Sequence, residues 1–248
     1  MQGTKNIATA CLRRGVRRLV HVSSVAVYDL VGLPKNVPIT ESWRLDPYPA
    51  KRGNYTRSKI DAEQIITSYV SQGLSCIVIR PGLIYGPRGP LFPADVGYLV
   101  REKIAMLVGL GFRTLPLVYV ENVVDALIRA AEFTGTSGKT FHVVDDETMT
   151  QREYVRWLAR ATGRHLFTLP VPVSLVLAGI MPLEWISAVS GHSDITPLTR
   201  YRLLSSARVK HFDTSKAKAL LGWKPNIGLR EGLQRTAENL RSLPHIQS

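Results

Sequence analysis

The sequence predicts a parallel α/β fold. Short runs rich in β-branched residues alternate with stretches of helical apolar spacing. Glycines stand at the joins, where a helix must stop before a strand begins. The order helix, strand, loop, helix, strand is that of a sheet whose strands are joined by covering helices.

Residues 4–14 carry Ile7, Ala8, Cys11 and Leu12 on one helical stripe, and Gly15 stands in the C′ position. Residues 18–23 follow as a buried strand. Residues 28–54 hold Gly32, Pro34, Pro38, Pro47, Pro49 and Gly53, a long connection of the kind that tends to carry function. Residues 55–71 are a helix with Ile60, Ile65, Ile66, Tyr69 and Val70 on its apolar face. Gly73 ends it, residues 74–79 form a second buried strand, and Arg80-Pro81-Gly82 stops that strand. Further along, residues 115–120 read as a short strand, 123–133 as a helix and 140–144 as a core strand. Thr150 and Glu153 have the spacing of a capping box that opens a helix through Ala161. Short helices at 215–221 and 229–240 flank Gly222-Trp223-Lys224-Pro225. The character of the chain changes softly near Asp146.

Composition narrows the classes. With 248 residues, 45% of them hydrophobic and 21% charged, the chain is neither disordered nor collagen-like. Lys and Arg number 32 against 19 Asp and Glu, a net charge of +13, which suits an anionic partner without selecting one. Cys11 and Cys76 cannot build a disulfide framework, which fits a reducing, cytoplasmic setting. Arginines at 13, 14, 17 and 18 precede an apolar run that His21 and Ser23 interrupt, so no export signal is read. Residues 166–183 lack ionisable side chains, yet Pro170, Pro172 and Pro182 argue against a membrane span. A buried helix or an apolar lid is expected there, and peripheral membrane contact stays open. The six histidines are scattered, and no metal site is expected.

Three features converge on chemistry. Ser23-Ser24 ends one strand, Tyr55 and Lys59 share a helix face at i, i+4, and Arg80-Pro81-Gly82 ends the next strand. In parallel sheets ligands bind beyond the carboxyl ends of the strands, where Ser24 and Pro81 would lie. A free phenol, of pKa ~10, is a poor base at neutral pH, and a neighbouring ammonium favours the phenolate. Tyr55 is thereby a candidate acid/base toward a hydroxyl, and Ser24 a donor to the reacting oxygen.

These residues resemble the extended short-chain dehydrogenase/reductases, the NAD-dependent epimerase/dehydratase superfamily. The likeness runs through Gly3-Thr4-Lys5-Asn6, Val20-His21-Val22-Ser23-Ser24-Val25-Ala26-Val27-Tyr28 and Tyr55-Thr56-Arg57-Ser58-Lys59. It continues in Arg80-Pro81-Gly82-Leu83-Ile84-Tyr85-Gly86-Pro87, Val118-Tyr119-Val120-Glu121-Asn122-Val123, Asp213-Thr214-Ser215-Lys216-Ala217 and Leu221-Gly222-Trp223-Lys224-Pro225.

The resemblance implies a catalytic set of Ser24, Tyr55 and Lys59. Lys59 would also hold the nicotinamide ribose of NAD or NADP, with Pro81 and Gly82 beside the nicotinamide. It implies an incomplete Rossmann-like doubly wound parallel sheet with a small C-terminal α+β substrate-binding region. Residues 1–146 would be the later half of the dinucleotide-binding domain, and 147–248 mainly the substrate or lid region. The family's opening strand and Gly-x-x-Gly-x-x-Gly turn have no counterpart here, since Gly109-Leu110-Gly111 comes too late and lacks a third glycine. The expectation is therefore a truncated chain with impaired cofactor binding. Residues 166–183, followed by Pro197-Leu198-Thr199, look most like the 3β-hydroxysteroid dehydrogenase-like branch and imply an apolar substrate, with a sugar-derived one also open. Val25-Ala26 stands where sugar-nucleotide dehydratases carry Asp-Glu, which disfavours dehydration.

The expected activity is hydride transfer on a secondary alcohol or ketone of a small molecule, or epimerisation, with a homodimer left open. The alternative is a non-catalytic fragment or a basic module for anionic membrane or nucleic acid. No stacking motif, helix-turn-helix or zinc pattern supports nucleic acid, so no nucleic-acid partner is expected.

Overall fold

The structure, a computed structural model, describes residues 1–34, 37–180, 199–208 and 210–242. Its centre is a three-stranded parallel sheet in the order β1 (Leu19–Val22), β2 (Cys76–Pro81), β8 (Thr140–Val143). Every residue of β2 is buried, and its alternation decides what covers each face. Cys76 and Val78 face one way, into a cluster with Ala8 of α1 (Gln2–Arg13) and Ile66 of α3 (Asn54–Val70). Ile77 and Ile79 face the other, against Val123, Ala126 and Ala130 of α4 (Val120–Glu132) and against Trp223. Helices thus cover both faces, as the continuous apolar run of β2 requires.

The second strand does not stop at Arg80, as the sequence suggested. It runs through Pro81, and Arg80 is buried on the Cys76–Val78 side, where α3 lies. Proline is tolerated there because it sits at the strand's end. Gly82 then carries the chain into β3 (Leu83–Tyr85), which pairs in parallel with β7 (Leu117–Tyr119). A Cβ on Gly82 would stand 2.2 Å from the Pro116 carbonyl oxygen, and that carbonyl accepts the Leu83 N–H at 2.7 Å. Only glycine lets the two backbones approach so closely. Pro116 also divides the expected strand at 115–120 into β6 (Thr114–Leu115) and β7.

A second small sheet has the order β10-β5-β4, from β4 (Tyr98–Val100), β5 (Ile104–Val108) and β10 (Phe167–Val171). It corrects the expectation of a buried helix at 166–183. The segment opens as an edge strand pairing with β5, with Phe167 and Leu169 exposed, and turns helical over 173–180. Pro182, Leu183, Pro197 and Leu198 lie outside the described residues. Among those described, no helix is long and apolar enough to cross a membrane.

The capping box forms as expected. Thr150, the last residue of β9 (Met149–Thr150), caps α5 (Gln151–Thr162), and Glu153 returns a carboxylate to the Thr150 N–H.

Asn122 anchors the C-terminal part of the chain to the central layer. Its amide donates to Asp145 Oδ1 at 2.9 Å and to the Ile227 carbonyl at 2.8 Å. Its Oδ1 accepts from the N–H groups of Asn226 and Ile227, both at 3.0 Å. Trp223, fully buried, donates its indole N–H to the Asn122 carbonyl at 2.9 Å. Residues on both sides of Asp146 thus share one core, Trp223 and Leu221 packing with Ile77 and Phe141. Truncating the anchor strands several backbone and side-chain polar groups at once. Asn122→Ala is expected to cost about 3 kcal/mol, read as a fall in the urea midpoint at unchanged slope.

Candidate functional site

At the carboxyl ends of β1 and β2 the structure opens a cavity of about 590 Å³. Ser24, Tyr55, Lys59, Pro81 and Gly82 all line it, so the sequence-predicted site residues are brought to one place. Each arrives by a local cause. Ser24 follows β1 and caps a 3₁₀ turn over Val25–Val27, accepting the Ala26 N–H at 3.1 Å. That bond uses a lone pair and leaves the hydroxyl proton available to an oxygen in the cavity. Tyr55 is the second residue of α3, behind Gly53 at φ +107°, and is 59% exposed.

Lys59 lies one turn further along. Its ammonium donates to the Val22 carbonyl at 2.9 Å, tying α3 to the end of β1, and stands 5.9 Å from the centre of the Tyr55 ring. Burial pulls its pKa below the ordinary lysine value, and the negative charge of Glu63 works against that pull. Ser23, beside it, is buried with its hydroxyl unpartnered, and it too lines the cavity.

Sequence reasoning missed the network underneath. Glu63, one turn beyond Lys59 on the same stripe, is buried and takes two bonds from Arg80, Nε to Oε1 at 2.9 Å and Nη2 to Oε2 at 2.5 Å. Arg80 also donates to the Tyr28 hydroxyl. The proton order follows from His142: its Nδ1 faces the Asp213 carbonyl at 2.9 Å and must donate, so Nε2 accepts from Tyr28. Burial opposes the charge of Arg80, and Glu63 and Tyr28 more than offset it, raising its pKa. Spacing could have revealed Glu63, which is i+4 from Lys59 and i+8 from Tyr55. Nothing in the sequence pairs it with Arg80.

His142 gives the network a pH signature. Its ring has no exposed surface, and burial drives its pKa below the ordinary histidine value. A charged imidazole would also turn an N–H toward Tyr28, which already accepts from Arg80. A base with a depressed folded pKa contributes stability that is present above its unfolded pKa and lost as pH falls through the folded one. Unfolding free energy is therefore expected to fall as pH drops below about 6.5. His142→Gln should flatten that acid limb in urea titrations at a series of pH values.

The sequence profile described as the NAD dependent epimerase/dehydratase family matches residues 1–143. The chain is similar to 3beta-hydroxysteroid-dehydrogenase/decarboxylase isoform 1 of Arabidopsis thaliana, at 31% identity over 98% of this chain and 57% of that protein. It therefore spans little more than half of that relative's length. A UDP-glucose 4-epimerase of Vibrio cholerae is 30% identical, over 95% of this chain and 67% of that protein. Among solved structures, a UDP-glucuronic acid 4-epimerase from Bacillus cereus in complex with NAD matches with a TM-score of 0.69 at 17% identity. The match covers 96% of this chain and 66% of that one. The likeness is one of fold, the Rossmann-like α/β sheet expected from the sequence.

Proposed function

Since the chain belongs to the NAD-dependent epimerase/dehydratase family, we propose that it carries the catalytic part of an NAD(P)-dependent oxidoreductase or epimerase acting on a secondary alcohol or ketone. The observation that carries this reading is the common cavity of Ser24, Tyr55, Lys59, Pro81 and Gly82. The donor set suits the nicotinamide end of a dinucleotide. The unpartnered Ser23 hydroxyl and the Lys59 protons not spent on Val22 offer hydrogen bonds to an amide and to ribose hydroxyls. Pro81 and Gly82 supply wall without polar side chains.

A bound nicotinamide supplies the hydride acceptor for oxidation and the donor for reduction. The chain's own residues handle the proton. In oxidation the substrate hydroxyl gives its proton to Tyr55 Oη as the carbon–hydrogen bond releases a hydride. In reduction Tyr55 returns that proton to the new alkoxide. The Ser24 hydroxyl donates to the same substrate oxygen and stabilises its developing charge. The Lys59 ammonium stabilises negative charge on the phenolic oxygen. Epimerisation uses the two proton steps in succession, once each, with the ketone turning over between them. Substrates of the two classes named for the relatives, 3β-hydroxysteroids and UDP-sugars, are the first to test. Cys11 and Cys76 are both free thiols, which suits a cytoplasmic enzyme.

Tyr55→Phe is expected to lower single-turnover hydride transfer by about 10²–10⁴-fold, leaving nicotinamide cofactor affinity within about twofold. Stopped-flow absorbance of the reduced nicotinamide checks both quantities. A variant that keeps its rate removes Tyr55 from this role.

A further inference from the structure

The sheet β10-β5-β4 is apolar on both faces, and the core uses one of them. Side chains alternate along a strand, and residues paired in register share a face. Leu99 pairs with Ala105 and Ala105 with Thr168, while Leu107 pairs with Pro170. Ala105 and Leu107 are fully buried, so this is the core side. The opposite face carries Val100, Ile104 and Phe167 in one cross-strand row and Tyr98, Met106 and Leu169 in the next. Val108 and Val171 complete it. Phe167 is 68% exposed, Tyr98, Val100 and Leu169 are exposed as well, and the other four are half-buried. A sheet face in contact with water ordinarily alternates to polar residues, whereas the only polar group among these side chains is the Tyr98 hydroxyl. Leu110 and Phe112, just past β5, and Leu175, just past β10, are exposed at the same end of the sheet.

Contiguous exposed apolar surface with a charged rim marks contact with a protein or a membrane, and the rim separates the two here. At one end lies the β4–β5 turn, where Arg101 and Lys103 are exposed, and Arg164 reaches Glu102 of the same turn at 3.3 Å. Three cations there meet one carboxylate. At the other end the Arg152 guanidinium lies over the Phe112 ring, 5.0 Å from its centre. With cations at both ends, a second copy laid on this face would bring like charges together, whereas an anionic bilayer neutralises them. The net charge of +13 adds to that attraction.

We infer that this sheet face docks on an anionic lipid bilayer, its apolar rows seated at the acyl-chain boundary and Arg101, Lys103 and Arg164 among the headgroups. The docked face adjoins the cavity, which Tyr98 and Val108 also line. The docking stands on the sheet and its rim, independently of the function proposed above.

Co-sedimentation of the chain with vesicles of phosphatidylcholine and phosphatidylserine in equal parts, against phosphatidylcholine alone, tests this. Binding to the mixed vesicles is expected, weaker on the neutral ones and falling with added salt. Phe167→Glu should weaken it about tenfold or more, since it replaces an exposed apolar anchor with a charge of the wrong sign. Lys103→Gln should weaken binding to the mixed vesicles about fivefold. Phe167→Trp reads the seat itself: lipids brominated in their acyl chains should quench the emission that this variant adds to the unsubstituted chain. That variant decides if Phe167→Glu fails to fold. Adsorption through another basic surface would sediment the chain without this quenching, and overturns the proposal. Failure to sediment with the mixed vesicles overturns it too. So does a lipid-free dimer that Phe167→Glu dissociates in analytical ultracentrifugation, since a second copy would then cover the face.

Discussion

The buried ion pair between Glu63 and Arg80 is the constraint on which the site depends. Its two side chains are 7% and 6% exposed and meet through two parallel bonds. Taking both charges out of water cancels much of their mutual attraction, so the pair adds little net stability. Removing one partner is another matter, at about 3–5 kcal/mol, because the other charge is left stranded. What the pair fixes is position. Arg80 belongs to the central strand and Glu63 to α3, so the pair sets where α3 lies along β2. Lys59 and Tyr55, one and two turns back on the same helix, are carried to the end of β1 where Ser24 waits. Arg80 then reaches Tyr28 and, through it, His142 on the third strand. The network thus links α3 to the second and third strands of the central sheet beneath one cavity.

Much of this was legible in the sequence, and the particular residues show why. The run at 74–79 reads as a strand because it is apolar on both faces, and the structure buries both against helices. Tyr55 and Lys59 stand out because helical spacing alone places them on one face. The i, i+4 rule would have reached Glu63 as well, had Arg80 not looked like part of a strand stop. Burying an arginine needs a partner that lies 17 residues away in sequence, and local pattern carries no such signal.

The second sheet was missed for a different reason. Its edge strands are short, and Arg101, Glu102 and Lys103 interrupt the apolar text between β4 and β5. Arg101 and Glu102 both take positive φ, so the turn is made by residues that do not announce one. Pro170, which argued against a membrane span, sits within β10 at the sheet's edge, where a missing N–H is tolerated. The basic residues of the cavity were hidden by distance, since Arg52, Arg113 and Lys210 come to line it only once the chain has folded. The net charge of +13 pointed vaguely toward an anionic partner, and the fold concentrates part of that charge in a cavity of small-molecule size.

The central claim is that the carboxyl ends of β1 and β2, with the first turns of α3, form the seat of a nicotinamide. Nicotinamide mononucleotide carries that half of the cofactor alone, and its titration into isotopically labelled protein, followed by amide chemical shifts, reads the claim residue by residue. Saturable shifts of Ser23, Ser24, Lys59 and Gly82 with a common affinity are the predicted result. Shifts confined to other parts of the chain, or none at saturating ligand, would contradict it.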